Sequence, residues 1–385
     1  MGAINLDNTG SGGAITLSSD GTSLLLGGSA VGGGADLYAA NESSPTAQPS
    51  ATGTNAIAIG DQAVSSGTDS FAIGTDTDST GTGSLAVGQG AQATANYNLA
   101  IGLNANATAE RAIAIGNNGV IAGSTYSTAI GHNSGFGGST TATGSGAMAL
   151  GGSYASGADS FAAAIANNTS SYGATGANSI AIGKQAKAAS TDSIAIGNGA
   201  TATSAESLVL STSTNYTSET TARRAVAIGY RALSSIRGKM AFAGHGFSAN
   251  GDAQSGKIVL VSDTTDATPE PLTSNNNQAG LTDNQVLLPN NSAYSFHGTI
   301  VARESAASGT DCAAWKVEGL IRREGSAGTT VLVNSATTVL DNTPSWGMAL
   351  SADTTNGGLA ITVTGAASTN IRWVGTIHTS EVTYA

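Results

Sequence analysis

Cysteine occurs once in 385 residues, at Cys312, so no intrachain disulfide framework can form, and a small buried side chain is the expectation there. Charged residues make up only 10% of the chain and aromatics 5%, yet the sequence is too apolar and too regularly patterned to be disordered. No apolar run approaches the roughly 18 residues that a membrane-spanning helix needs. The first twenty residues lack a basic segment followed by an apolar core, and Met1–Leu6 misses the myristoylation pattern at its sixth position. Neither a secretory leader nor membrane insertion is therefore expected. Basic residues are scarce, and the formal net charge of −11 argues against a nucleic-acid partner. Proline is absent between Ala51 and Thr268, as expected where nearly every backbone N–H is needed for a β-ladder.

What fills this stretch is one short motif used over and over. Ile57-Ala-Ile-Gly60, Phe71-Ala-Ile-Gly74, Leu85-Ala-Val-Gly88, Leu99-Ala-Ile-Gly102 and Ile113-Ala-Ile-Gly116 follow one another at intervals of fourteen residues. The motif returns as Ile180-Ala-Ile-Gly183, Ile194-Ala-Ile-Gly197 and Val226-Ala-Ile-Gly229. Looser copies start at Thr128, Met148, Phe161, Leu208 and Met240. A fixed period of this kind signals a solenoid whose units are stable only when stacked. Fourteen residues are too few for a helix pair but suit two short strands and two tight turns of Gly, Asn, Asp and Ser. At about 4.8 Å per rung, thirteen coils would make a rod roughly 60 Å long.

Within the first strand of each repeat, large apolar residues alternate with alanine. The expectation is that Ile57, Ile59 and their equivalents fill the roll interior. The alanines at 58, 72, 86, 100, 114, 181, 195 and 227 would then lie outside. A strand apolar on both faces is normally buried on both, so Ala58, Ala72, Ala86, Ala100, Ala114, Ala181, Ala195 and Ala227 are the expected subunit interface. The second half of each repeat, as in Ala91-Gln-Ala-Thr-Ala95, alternates small and polar residues and reads as a half-exposed strand. A core this thin makes oligomerisation the expected remedy.

The Ser-Ile-Ala-Ile-Gly-x-x-Ala-x-Ala pattern resembles the head of YadA-like trimeric adhesins over roughly residues 56–244. The resemblance implies a left-handed parallel β-roll assembled as a homotrimer.

The two ends are of a different make. Residues 14–26 read as a hairpin around Asp20-Gly21, giving an N-terminal β-element over 1–40 that docks to a larger assembly or caps the first coil. Residues 41–55, with Pro45 and Pro49, read as a linker, the roll occupies 56–244, and 245–385 form a C-terminal β-domain. In that domain longer alternating strands are expected at Ile258–Val261, Ala293–Arg303, Ala313–Arg322, Thr330–Val333, Trp346–Leu350, Leu359–Val363 and Ile371–Thr383. They point to an antiparallel sandwich or jelly roll with Trp315, Trp346 and Trp373 as core anchors. Gly251-Asp-Ala-Gln, Leu288-Pro-Asn-Asn291, Ala352-Asp-Thr-Thr-Asn-Gly357 and Ile371-Arg-Trp-Val374 resemble a C-terminal module of tailed-bacteriophage appendage proteins. That resemblance implies a virion setting, with assembly in the host cytoplasm.

Candidates for chemistry are few. Gly251–Lys257 has phosphate-loop spacing but carries Ile258 where Mg²⁺ coordination requires Ser or Thr. His132, His245, His297 and His378 are never at ligand spacing, and Asp76-Thr-Asp78 lacks the further oxygens of a calcium loop. No cofactor is expected, and a metal would have to sit on an axis between subunits. Glu304, Asp311, Glu318 and Glu324 read as solvated strand residues and not as a glycosidase pair. Arg223, Arg224, Arg231, Arg237, Lys239 and Lys257 fall in a stretch whose single acid is Asp252, suggesting a trimer clamp or pairing with acids of the C-terminal domain. The period breaks at three places, and insertions in solenoids become surface loops that often bind. These loops carry Tyr126, Phe136, Tyr154 and Tyr172, the candidate receptor contacts. The combined expectation is a non-enzymatic, homotrimeric fibre protein of a phage virion, bound to other virion proteins and attaching to a host surface glycan or protein. The alternatives are a capsid-decorating head fibre and a glycan-degrading tailspike.

Overall fold

The computed structural model describes residues 47–384 apart from 133–138, 164–170, 212–216, 278–279, 308 and 343, together with four short strands nearer the N-terminus. Ile15–Ser19 pairs antiparallel with Leu24–Leu26, which is the expected hairpin, while Ile4–Leu6 and Ser29–Ala30 add an outer strand on either side. Residues 31–46, which hold the first part of the expected linker, lie outside the described residues. The first coil begins at Ser50–Ala51, earlier than expected, because this pair already joins Val64–Ser65 in parallel register.

From there the chain winds through thirteen coils, each with one strand in a front sheet and one in a back sheet. Front strands run from Ile57–Ile59 to Met240–Ala243, and back strands from Ser50–Ala51 to Leu233–Ser234. Neighbouring coils pair in parallel and in phase, so identical repeat positions stack: Ile57 on Phe71, Ala58 on Ala72, Ile59 on Ile73. The close stacking explains the glycine that ends most of the front-strand motifs. Gly60 has φ +119°, and a Cβ there would stand 2.5 Å from the carbonyl oxygen of Gly74 in the next coil.

The side-chain direction is the reverse of the expectation. Ala72, Ala86, Ala100, Ala114, Ala181, Ala195 and Ala227 are completely buried inside a single chain, and Ala58, in the first coil, is half-buried. The isoleucines, leucines, valines and phenylalanines beside them point outward, as Ile73, Ile130, Phe71 and Met148 do at 37–41% exposure. Width decides this. The back strands contribute Ala91, Ala93, Ala105, Ala107, Ala186, Ala188, Ala200 and Ala202 to the same interior, and a coil of fourteen residues leaves no room for branched side chains between its two walls. Serine can substitute for alanine there because it finds partners, as where the hydroxyls of Ser79 and Ser84 lie 2.6 Å apart and Ser84 donates to the Gly81 carbonyl. The buried apolar residues of the roll are thus alanine almost throughout, joined in the main cluster by Val120 and Val209 and interspersed with buried serines and threonines.

The front sheet does not stop at the roll. Met240–Ala243 pairs antiparallel with Ala253–Thr264, which opens a five-stranded antiparallel sheet in the order Ala253–Thr264, Ile371–Thr383, Ser292–Glu304, Cys312–Arg323, Val331–Asp341. A smaller sheet of Pro269–Pro271, Gly358–Thr364, Val286–Leu287 and Gly347–Asp353 covers one face. Between the two sheets lies a conventional core that includes Leu260, Phe296, Ile300, Leu359 and Ile361. All three tryptophans are in it, with Trp373 stacked on Trp315 at 5.7 Å and tilted against Trp346 at 5.8 Å. The expected sandwich strands are present but most run longer, and Pro269–Pro271 and Val286–Leu287 escape the sequence pattern because they are too short to show alternation. Cys312 is exposed and not buried, since it opens an alternating strand whose inward residue is Ala313.

Candidate functional site

The dominant surface feature follows from the inverted side-chain direction. Two columns of large apolar residues, among them Leu85 and Val87, Leu99 and Ile101, Ile113 and Ile115, Ile180 and Ile182, Ile194 and Ile196, run side by side along the front of the roll. None is fully covered by its own chain, and Phe242 at the roll's end is 55% exposed. An exposed apolar strip of this extent marks an interaction surface. Covering a side chain that is about 40% exposed is worth about 0.8 kcal/mol, taking about 2 kcal/mol for complete burial of an aliphatic side chain. Over the seven column residues exposed by 37–55%, Phe71, Ile73, Ile130, Met148, Ile196, Met240 and Phe242, that sums to about 6 kcal/mol per chain, and the half-buried members add to it. The back sheet differs, since Asp78, Gln92, Asn106, Lys187, Thr201 and Glu219 point outward from it.

The ridge between the sheets carries one left-handed residue per coil just before each front strand. Several of these pair with the next coil: Asn55 donates to Asp69 at 2.8 Å, Asn178 donates to Asp192 at 2.9 Å, and Arg224 donates to Glu206. Three successive coils hold Tyr97, Arg111 and Tyr126, all with φ near +60°. The Arg111 guanidinium lies 5.5 Å from the Tyr97 ring centroid and 5.4 Å from that of Tyr126, and it donates to the Tyr126 hydroxyl at 2.9 Å. Both tyrosines are 56% exposed. Of the four expected receptor contacts, Tyr126 therefore stands on an open ridge. Tyr154 lies half-buried in a back strand, Tyr172 is half-buried beside Gly173–Ala174, and Phe136 falls outside the described residues. The three described ones stand apart, Tyr126 on the ridge and Tyr154 and Tyr172 in or beside different back strands.

The basic stretch resolves into pairs with acids. Lys239, buried in the last coil, sits 2.7 Å from a carboxylate oxygen of buried Glu381, which also accepts from Gln254 Nε2 at 2.8 Å and from the Thr379 hydroxyl. Gln254 reaches back into the roll, where it accepts from the Leu233 N–H and donates to the Leu233 carbonyl. Tyr294 closes the cluster under Lys239. Burial first, then the Glu381 charge and the hydrogen bond to it, hold its phenol well above the usual range. Arg237 pairs with Asp283, and Arg223 and Arg224 with Glu206. The contacts of Lys239, Gln254 and Arg237 tie the roll to the sandwich, whereas Arg223 and Arg224 pair within the roll. Gly251–Lys257 does not form a phosphate loop, because the chain is already strand from Ala253; the Asp252 carboxylate instead accepts the N–H groups of Phe247, Ser248 and Ala249 in the preceding turn, at 2.6–2.9 Å. Burial pushes its pKa up, but those N–H groups and Arg231 outweigh it and leave it below the ordinary carboxylate value.

Two histidine contacts were invisible in the spacing. His297 and His378 are register partners on adjacent strands and stack at 5.3 Å on the outer face of the large sheet, and His245 stacks on Tyr230 at 5.5 Å. Among the described residues no cluster of three or more ligating side chains forms. Glu318 lies near Lys316 and Glu324 pairs with Arg322, while Glu304 accepts the Asp311 N–H at 3.3 Å. No helix among the described residues is long and apolar enough to cross a membrane.

Comparison with known proteins places the repeats in a family. The model of the YadA head domain repeat matches residues 51–77, 79–97, 99–118 and 174–200, and these segments carry YadA head repeats. The stretch between 119 and 173, where the period lengthens, is unmatched. No curated protein matches the chain. Among solved structures, the tailspike protein gp49 from Acinetobacter baumannii bacteriophage Fri1, a capsular polysaccharide depolymerase, is 12% identical. The alignment covers 84% of this chain and 61% of that one, with a TM-score of 0.22. The Acinetobacter baumannii phage AM24 tailspike is 8% identical over 77% of this chain and 57% of its own, with a TM-score of 0.19. The tailspike of Acinetobacter phage vB_ApiP_P1 is 11% identical over 88% and 78%, with a TM-score of 0.17. The chain thus spans less than two thirds of the first two, and nothing about activity follows from scores this low.

Proposed function

We propose, from the premise that residues 51–118 and 174–200 carry YadA head repeats, that this chain is the subunit of a homotrimeric adhesive fibre on a bacteriophage virion, attaching the particle to its host without catalysis. The observation that carries the reading is the pair of uncovered apolar columns along the front of the roll. Three chains arranged about the rod axis would cover these strips with the equivalent strips of their sisters. The expected alanine interface gives way to one made by Ile, Leu, Val and Phe of the front strands, with the alanines behind it as packing inside each protomer. The tie between roll and sandwich through Lys239, Glu381 and Gln254 supports a rigid rod-and-head unit, and threefold display turns weak single-site contacts into avidity. The virion setting is supported by the resemblance of the C-terminal segment to phage appendage modules.

Two measurements test the reading. Labelled antibody against the sandwich should decorate the tail of intact particles, and the purified trimer added to host cells should slow adsorption of the phage. Labelling of capsid hexamers with no effect on adsorption would replace it with the head-fibre assignment. Release of oligosaccharide from host envelope by the purified chain would replace it with a glycan-cleaving spike.

A further inference from the structure

At the end of the large sheet remote from the roll, four strands present one row of side chains on the outer face. Asp263 is in register with Arg372, Arg372 with Arg303, and Arg303 with Cys312. Two arginines directly opposite one another on adjacent strands repel, an arrangement a sheet normally avoids. They line a cleft of about 520 Å³, in the size range of small-ligand sites, together with Asn370, Ser305 and Thr264. Two acids share the cleft, but each carboxylate has another partner. Asp263 accepts from Asn276 Nδ2 at 2.9 Å, and Glu304 accepts the Asp311 N–H. Arg303 spends one Nη on the Asp311 carbonyl at 3.0 Å, and the Arg372 side chain makes no hydrogen bond or ion pair among the described residues. The base of the cleft is firm, because Thr264 Oγ1 accepts from Trp373 Nε1 at 3.0 Å and Trp373 is fully buried.

From this geometry we infer that the cleft binds the oxyanion of a charged saccharide, a uronic-acid carboxylate or a sugar phosphate. A guanidinium is a planar fork of donors that matches both groups bidentately, and an oxyanion between Arg303 and Arg372 removes the repulsion that the empty cleft retains. Asn370 and the Ser305 hydroxyl line the cleft beside that charge as hydrogen-bonding groups for the sugar ring. The inference rests on the attachment reading for its biological source of ligand, and on the arginine row alone for its chemistry.

Isothermal titration of the full chain with trigalacturonate, glucose 6-phosphate, maltotriose and inorganic phosphate tests it. At least one charged saccharide should bind at millimolar concentration or below, at least tenfold tighter than maltotriose and than inorganic phosphate. Which of the two charged sugars binds tells carboxylate from phosphate. Arg372→Ala and Arg303→Ala should each weaken that binding at least tenfold with an unchanged melting temperature, and Arg372→Lys should fall between, since it keeps the charge and loses the fork. Equal affinity for maltotriose, inorganic phosphate binding as tightly as the sugars, binding unaffected by either alanine variant, or no binding of any probe would each overturn the inference. Adhesion of the doubly substituted chain to host cells at the wild-type level would also reject the cleft while leaving the fibre reading intact. Failure of the wild-type chain to adhere would sink the fibre reading whatever calorimetry reports.

Discussion

Replacing Ile182 and Ile196 by glutamate separates the inside of the roll from its outside in one experiment. The two residues are register partners in neighbouring coils and both point outward, Ile196 at 37% exposure. In an isolated chain the glutamates would stand in water and leave the alanine core untouched. In a trimer closed over the front columns, six carboxylates would be buried without partners. At about 3 kcal/mol each, toward the low end of the effective penalty for an unpaired buried charge, that totals about 18 kcal/mol. Two successive association steps at micromolar affinity represent about 16 kcal/mol, so the variant should sediment as a monomer at micromolar concentration. The matching change on the inner face is Ala181→Leu with Ala195→Leu, which over-packs a full interior by about 1–3 kcal/mol per site and should lower the melting temperature even of the separated chain. Sedimentation equilibrium and thermal denaturation by circular dichroism read the two effects. A double glutamate variant that remains trimeric, or a double leucine variant that melts like wild type, would refute the assignment of faces.

Three further outcomes are expected from the junction and the sandwich. Glu381→Gln should destabilise the link between roll and sandwich by about 3–5 kcal/mol by leaving Lys239 buried without its counter-ion, and the double change Lys239→Met with Glu381→Met should recover most of that loss in calorimetry. Because Asp252 has a pKa lower folded than unfolded, its contribution is complete above the unfolded value of about 3.9 and disappears as the pH falls through the folded one. Asp252→Asn should therefore be less stable than wild type at neutral pH, with the difference shrinking as the pH falls through the folded value, and a difference that does not change with pH would reject the capped loop as a support of the junction. Trp373→Ala should cost about 3–5 kcal/mol in denaturant unfolding of the sandwich, since it empties the centre of the three-tryptophan core.

The number of coils, their length and the parallel stacking were all legible as spacing, because a fourteen-residue interval between Gly60, Gly74, Gly88, Gly102 and Gly116 leaves few other ways to pair strands. The three tryptophans and most of the sandwich strands were legible for the same reason, namely strict alternation over long segments. Which face of each front strand lay inside was not. A period of two marks two faces without saying which is which, and the habit of placing the larger residue in the core fails where two walls stand one alanine pair apart. The signal that would have found it is the coincidence of small residues in both strands of one coil, Ala86 with Ala91 and Ala93, which can only be facing each other.

Contacts between distant parts of the chain were decided by tertiary structure alone. Lys239 and Glu381 are 142 residues apart, and His297 and His378 meet, as do Arg303 and Arg372, only because Ser292–Glu304 and Ile371–Thr383 are neighbours in the large sheet. Local pattern determines what a segment becomes, since it depends on residues two or fourteen places away. The partners of a side chain across a sheet depend on strand order, and strand order is settled by how whole faces pack.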